Sequence, residues 1–425
     1  MPNRFSFKNL RGGDSGVALL LVLVFLMLLS AITVEFAYNT NITFHMAMNT
    51  RDRLQSYYLA ESALHFSKTL IKYNKEARQM ASKASQKLDK PINTEPLYKM
   101  IPINSELLRG LISGEPPSEE GEDQAQKEAA ADKLEAARQS LSLLASKQAE
   151  NFLDFEGNFD ANIEALEGKL PLNAFFKLSP TQPEYDRLKN ILVFLLLQKP
   201  FQALLKNPPK DSLELATQIA DYVDTNDAVN EIGGSDRGSE AAPYAGTSLK
   251  PKNAKFLTEE ELILIPGMTD GILEELKKYV TVYRTIDKIN PCLASDDLVR
   301  AMILAFIQKR SDVENIRPDD QDRLKKAVEK VKAQCPDTSA MTQALNDVLS
   351  LNASSSPGAP PPSSAPGAGG APGFNSFGSM LTDEENIFKI ESTGTVGNAE
   401  VKIIEVINAS GSNPDQWKEL YWRVE

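Results

Sequence analysis

Residues Val17 to Val34 read VALLLVLVFLMLLSAITV, 18 residues without a charge, and neither Gly nor Pro occurs from Val17 to Lys90. At about 1.5 Å per helical residue the apolar run spans about 27 Å, close to the hydrocarbon thickness of a bilayer. Because proline and glycine are what break helices, the uninterrupted stretch predicts one helix that leaves the membrane and keeps going. Tyr57, Ala60, Leu64 and Ile71 recur at spacings of 3, 4 and 7, which puts them on one apolar stripe of that helix. The helix is predicted over 17–73. Ahead of the run, Arg4, Lys8 and Arg11 stand against Asp14. Positive charge on that flank keeps the N-terminus cytoplasmic and exports the rest of the chain.

Three readings of this segment stay open on the residues alone. A secretory signal needs a small-x-small cleavage site after the run, and Ala31-x-Thr33 ahead of Glu35 is the nearest match. A plain signal anchor needs nothing further. A prepilin-type leader is cut after a Gly before the run, and Gly16 stands at that boundary. A helix that continues with an apolar stripe suits the third, because the outer half of a filament subunit's helix packs on its own head.

The 46 Lys and Arg against 58 Asp and Glu give a net charge of −12, unsuited to general phosphate binding, which rests on clustered basic residues. With 2 His and 2 Cys in 425 residues, His-based catalysis and transition-metal sites are scarce, and no Walker A, GxSxG, HExxH, CxxC or GxGxxG pattern occurs. The chain is read as having no enzymatic activity and requiring no cofactor. Its length allows two or three domains.

After the helix comes a polar insertion at 74–157, within which Glu119 to Glu150 is Ala/Glu/Lys-rich and predicted helical. Residues 158–175 alternate in short apolar steps, as an extended segment does, and 176–352 carry helical periodicity with Pro-containing breaks. Residues 353–373 are only Ala, Ser, Pro and Gly, a linker composition that cannot bury apolar surface. In 374–425, two alternating stretches flank Gly397-Asn398 and a third ends the chain, predicting an antiparallel hairpin and a final strand. The class is α+β.

Three constellations could carry chemistry. Asp221, Asp224, Asn226, Asp227, Asn230 and Glu231 gather hard oxygen ligands in one loop; Asp221, Asp224 and Asp227 are the candidate Ca2+ ligands. The loop lacks the EF-hand spacing, and the competing reading is caps and Asx-turns. LILIPGMTDGILEELKKYV reads as helix, turn and helix, with Thr258 and Glu261 as a capping box. Such a hairpin can place N–H groups on DNA phosphates, but Lys277 and Lys278 face Glu259, Glu260, Glu261, Glu274 and Glu275, which favours protein packing. Cys292 and Cys335 either close a disulfide in an oxidising compartment or remain thiols. His45 and His65 lie on the first helix as packing or surface residues.

An ordered series of short stretches resembles the type II secretion system protein K family, the large minor pseudopilins. It comprises Gly16 before VALLLVL, YYLAESAL at 57–64, EGKLPLN at 167–173, DYVDTND at 221–227, PY at 243–244, EELILIPGMT at 260–269, TVY at 281–283 and ESTGTVG…LYWRVE at the end. The insertion at 74–157 and the stretch IDKINPCLAS with Cys292 depart from the family pattern. The resemblance implies a pseudopilin head with an antiparallel sheet and a large inserted helical domain. It implies a leader of residues 1–16, cleavage between Gly16 and Val17 by prepilin peptidase, and methylation of the new Val17 amine. Pseudopilins carry Glu at the fifth mature position, where Leu21 stands here. A tip subunit has no neighbour above to pair that carboxylate in hydrocarbon, so an apolar residue suits the tip. The implied partners are the I- and J-type minor pseudopilins, the major pseudopilin and secreted effectors, with the head in the periplasm and the helix in the inner membrane. No nucleic-acid partner follows; a membrane-anchored DNA receptor is the alternative.

Overall fold

The computed structural model describes residues 14–88, 96–106, 109, 155–230, 236–308, 320–350, 377–411 and 413–425. The expectations for the leader up to residue 13, for the Glu119–Glu150 helix and for the 353–373 linker lie outside the described residues.

Helix α1 runs Asp14–Leu88 and is long and apolar enough at its N-terminal end to cross a membrane, with none of that apolar window buried inside the protein. It extends past residue 73, where the apolar stripe stops. The polar continuation still has Ala, Lys and Gln, good helix formers, and no breaker before Pro91. A short helix α2 (Leu97–Met100) and strand β1 (Ile103–Asn104) follow, and the chain reaches β2 at Asn158–Ala165.

Strands β1, β2, β7 (Ile387–Val396), β8 (Ala399–Asn408) and β9 (Lys418–Val424) form one antiparallel sheet in the order β1-β2-β7-β8-β9. The β7–β8 turn falls on Gly397 at φ 57°, the left-handed conformation a tight hairpin asks for. Strand β7 alternates buried and half-buried residues, and its buried row faces α1. Leu59, Ala60, Ala63, Leu64 and Ile71 of α1 share one core with Phe388, Ile390, Ile403 and Ile407. Contact is closest at Gly394, where a β-carbon would lie 2.7 Å from the Ala60 backbone nitrogen and overlap the Ser56 carbonyl. Polar ties fix the register of helix on sheet: Lys68 pairs with Glu405 at 2.8 Å and Arg78 with Glu385 at 2.6 Å.

The described residues between β2 and β7 form a second, helical part with its own core. It contains β3 (Leu170–Pro171), α3 (Pro183–Leu196), α4 (Lys199–Gln202), α5 (Pro208–Val223), the hairpin β4 (Ala228–Asn230) and β5 (Asp236–Ser239), α6 (Asp270–Leu276), β6 (Val280–Thr281), α7 (Asp296–Gln308), α8 (Gln321–Lys332) and α9 (Thr338–Ser350). Prolines open α3, α4 and α5, where a missing N–H costs nothing. The junction is clamped where the chain leaves and rejoins the sheet. Buried Glu167 accepts the Asn386 and Ile387 amides at 3.0 and 2.9 Å and lies 3.9 Å from the Arg284 guanidinium. Cys292 and Cys335 form a disulfide with a Cα–Cα distance of 5.8 Å, tying the segment after α8 to the loop before α7.

Candidate functional site

The Thr258/Glu261 capping box expected at the hairpin does not form. Glu259–Leu264 is a 3-10 helix whose N-cap Thr258 side chain makes no capping bond. Glu261 reaches one residue further back, accepting the Leu257 amide at 2.9 Å while pairing with Lys252 at 2.6 Å. The Lys252 ammonium and the Leu257 amide take up the Glu261 carboxylate, so it is not left to accept the Thr258 amide. The second helix of the hairpin is capped by Thr269, whose hydroxyl accepts the Ile272 amide at 3.3 Å. The two lysines there are engaged by carboxylates: Lys277 by Glu260 and Glu274 at 3.5 and 3.0 Å, Lys278 by Glu275 at 2.7 Å.

The acidic loop is where polar chemistry concentrates. Helix α5 is amphipathic and stops at Val223, so Asp221 lies in its last turn and Asp224 caps it. Carboxylates are unfavourable at a helix C-terminus, where the exposed carbonyls already present partial negative charge. The chain then turns through the β4–β5 hairpin and returns Glu240 to the same spot. Ligand oxygens of Asp221, Asp224 and Glu240 all lie within 4.8 Å of one another. Asp227, the third ligand expected from the sequence, is not in this set. It sits at the exposed start of the hairpin and accepts the Asn253 side-chain amide at 3.0 Å. The third carboxylate is Glu240, which sequence spacing could not reveal because the hairpin fold brings it back. Glu231 lies outside the described residues.

The two aspartates are wired differently from the glutamate. Asp224 accepts the Tyr185 hydroxyl at 2.8 Å and the Asn230 side-chain amide at 2.6 Å through Oδ2, and the Asn226 side-chain amide at 3.0 Å through Oδ1. Asp221 Oδ1 accepts the Asn230 backbone amide at 3.3 Å. Asn226 and Asn230, picked out by the sequence as ligand types, thus serve as donors that aim the carboxylates. Glu240 is 3% exposed, yet among the described residues neither of its carboxylate oxygens has a hydrogen-bond partner. Burial, and then the Asp224, Asp221 and Asp227 charges, push the Glu240 carboxyl up to about 9. Burial raises Asp221 to about 7 against the pull of Lys189 and Asn230, and burial also raises Asp224.

A buried acid with no donor needs either a proton or a cation. Calcium–oxygen distances of about 2.4 Å would put opposed ligand atoms up to about 4.8 Å apart, so the carboxylate spacing fits a hard divalent ion. The donor set is all oxygen, which suits the same ions and not soft metals. Asp221, Asp224 and Glu240 would hold such an ion, and it would supply a fixed positive charge joining the end of α5 to the hairpin.

The architecture defines a class: an α+β chain whose long, apolar-ended helix is the spine of an antiparallel sheet, with a helical domain inserted between two of its strands. Within that class, residues 183–285, which contain the whole acidic site, match the family described as Type II secretion system (T2SS), protein K. A chain of "The Crystal Structure of the GspK-GspI-GspJ complex from enterotoxigenic Escherichia coli Type 2 Secretion System" is similar at 17% identity and a TM-score of 0.39, over 64% of this chain and 80% of that one. No curated protein matches the chain.

Proposed function

We propose that this chain is a minor pseudopilin of the type II secretion system. It is held in the inner membrane by the apolar end of α1, with both folded parts in the periplasm, and it occupies the pseudopilus tip with the I- and J-type minor pseudopilins to start assembly. The observation that carries the reading is the protein K match at 183–285, seated in a domain inserted into a sheet built on an apolar-ended helix. Leu21, fully on the apolar run and 65% exposed, supports an end position, since a tip helix has no neighbouring amine to pair with a carboxylate there. The inserted domain supports it too, because a body of that size on every subunit would crowd a filament shaft. The role is structural, the site binding an ion rather than a substrate.

Mature chains would begin at methylated Val17, cut after Gly16. Mass spectrometry of the purified protein reads this directly: an N-terminus at Met1, or one beyond Thr33, contradicts leader processing. Mixing the soluble head with I- and J-type heads should give a 1:1:1 complex by light scattering. Calcium at Asp221, Asp224 and Glu240 belongs to the same proposal, with the orphaned Glu240 carboxylate as its support.

A further inference from the structure

Behind the three carboxylates lies a cation that the chain supplies itself. Lys189 of α3 is completely buried, at 0% exposure. Its ammonium donates to the Asn230 carbonyl. It also stands 5.5 Å from the centre of the Tyr185 ring, whose hydroxyl donates to Asp224. Asn230 in turn donates to Asp221 and Asp224 through its side chain, at 3.4 and 2.6 Å. One asparagine therefore links the ammonium on its inner side to the aspartates on its outer side. Glu240, whose two oxygens have no hydrogen-bond partner among the described residues, completes the carboxylate set within 4.8 Å of the aspartates.

We propose that Lys189 is a resident counter-cation of the acidic site, holding the aspartates together before a metal arrives and lowering the affinity for that metal. The inference rests on the divalent-cation reading given above. Three carboxylates and one ammonium leave a formal charge of −2 when all are ionised, which a single divalent ion neutralises. With the ammonium removed, the same pocket would hold −3. In a poorly hydrated interior, charges a few ångströms apart interact far more strongly than in water, so a fixed ammonium behind the ligands opposes the entering ion. Affinity for hard cations follows the net ligand charge and the rigidity of the site. Lys189 acts chiefly through the charge, which it reduces, while its bond to the Asn230 carbonyl holds the asparagine in place when no ion is present. The site is thereby built to exchange its ion rather than to trap it, and to stay folded when the ion is absent.

The test uses the full chain in detergent, with Ca2+ as the probe, followed by calorimetric titration and by thermal melting with and without chelator. Lys189→Met should bind Ca2+ at least ten-fold more tightly than the unaltered chain, melt lower in chelator, and gain more in melting temperature from Ca2+. Lys189→Arg, which keeps the charge, should restore the original affinity. A packing role alone would weaken Ca2+ binding in Lys189→Met, so equal or weaker binding in that variant overturns the inference. If Lys189→Met folds only with Ca2+ present, the ion is replacing the lost ammonium, as expected. If it stays unfolded in millimolar Ca2+, the proposal is wrong. When the unaltered chain binds and Lys189→Met binds equally, only the role of Lys189 falls; when neither binds, the cation reading falls with it.

Discussion

In the head, α1 lies on β7 and β8 through a seam of small and aliphatic side chains, close enough at Gly394 that no β-carbon fits. The inserted domain has an apolar core of its own but also buries Asp221, Asp224, Glu240 and Lys189 in one pocket and closes a disulfide between Cys292 and Cys335. Apolar packing needs nothing outside the chain, whereas a pocket with excess negative charge responds to the protons and counter-ions around it. The head is therefore expected to keep its stability across ionic conditions, and the inserted domain to respond to them. Where the two meet, the Glu167 carboxylate holds both ends of the insertion, so the parts are joined by a buried polar clamp rather than by a continuous core.

The largest contrast should come from the disulfide. Its sequence separation is 43 residues, and loop-closure entropy for such a loop is worth about 4 kcal/mol. Cys292→Ser with Cys335→Ser should destabilise the inserted domain by that order and expose α8 and α9 to proteolysis, while head fragments persist in the digest. Equal loss of both parts would break the distinction. Next in size, Gly394→Ala should cost about 3 kcal/mol by forcing α1 off the sheet, read as a lowered melting temperature of the head that Ca2+ does not restore.

Calcium should act in the opposite place. At a hundred-fold excess over Kd, mass action contributes about 2.7 kcal/mol to whatever unit carries the site. The transition of the inserted domain should rise accordingly and that of the head stay fixed; Glu240→Gln should abolish most of the rise. The smallest effect is at the exposed face of the sheet, where Glu391 lies 2.9 Å from Lys389 and 2.8 Å from Lys402. Burial opposes its ionisation, but the two ammonium groups outweigh that and hold its pKa below the ordinary 4.5. A lowered carboxylate contributes stability above its unfolded pKa and loses it as pH falls through the folded value. Glu391→Gln should thus cost less than about 1 kcal/mol at neutral pH and nothing in strong acid.

How far the sequence could be read follows the same division. The apolar run, the stripe from Tyr57 to Ile71, the Gly397-Asn398 hairpin and the final strand are all periodic and local, and they stand in the structure near where the pattern puts them. Helix α1 runs past the predicted end at 73 because apolar periodicity stops before helix propensity does. The site was half legible. Asp221 and Asp224 are neighbours on one helix end, whereas Glu240 reaches them only through a hairpin return that no spacing rule encodes. Lys189 is illegible for the same reason: in a helix of mostly apolar residues, a lone lysine gives no sign that it is buried beside acids some thirty residues on. The failed capping box at Thr258 shows a local pattern losing to Lys252 and the Leu257 amide, which draw Glu261 away.

We propose that this chain caps the pseudopilus. Leu21→Glu should accordingly be harmful or neutral and never increase incorporation, since the new carboxylate meets no amine above it. The most direct measurement is quantitative mass spectrometry of sheared pseudopili of different mean lengths, counting this chain against the major subunit. A tip protein stays constant per filament, so its ratio to the major subunit should fall as filaments lengthen. A ratio that holds steady with length would make this chain a shaft component and contradict the assignment.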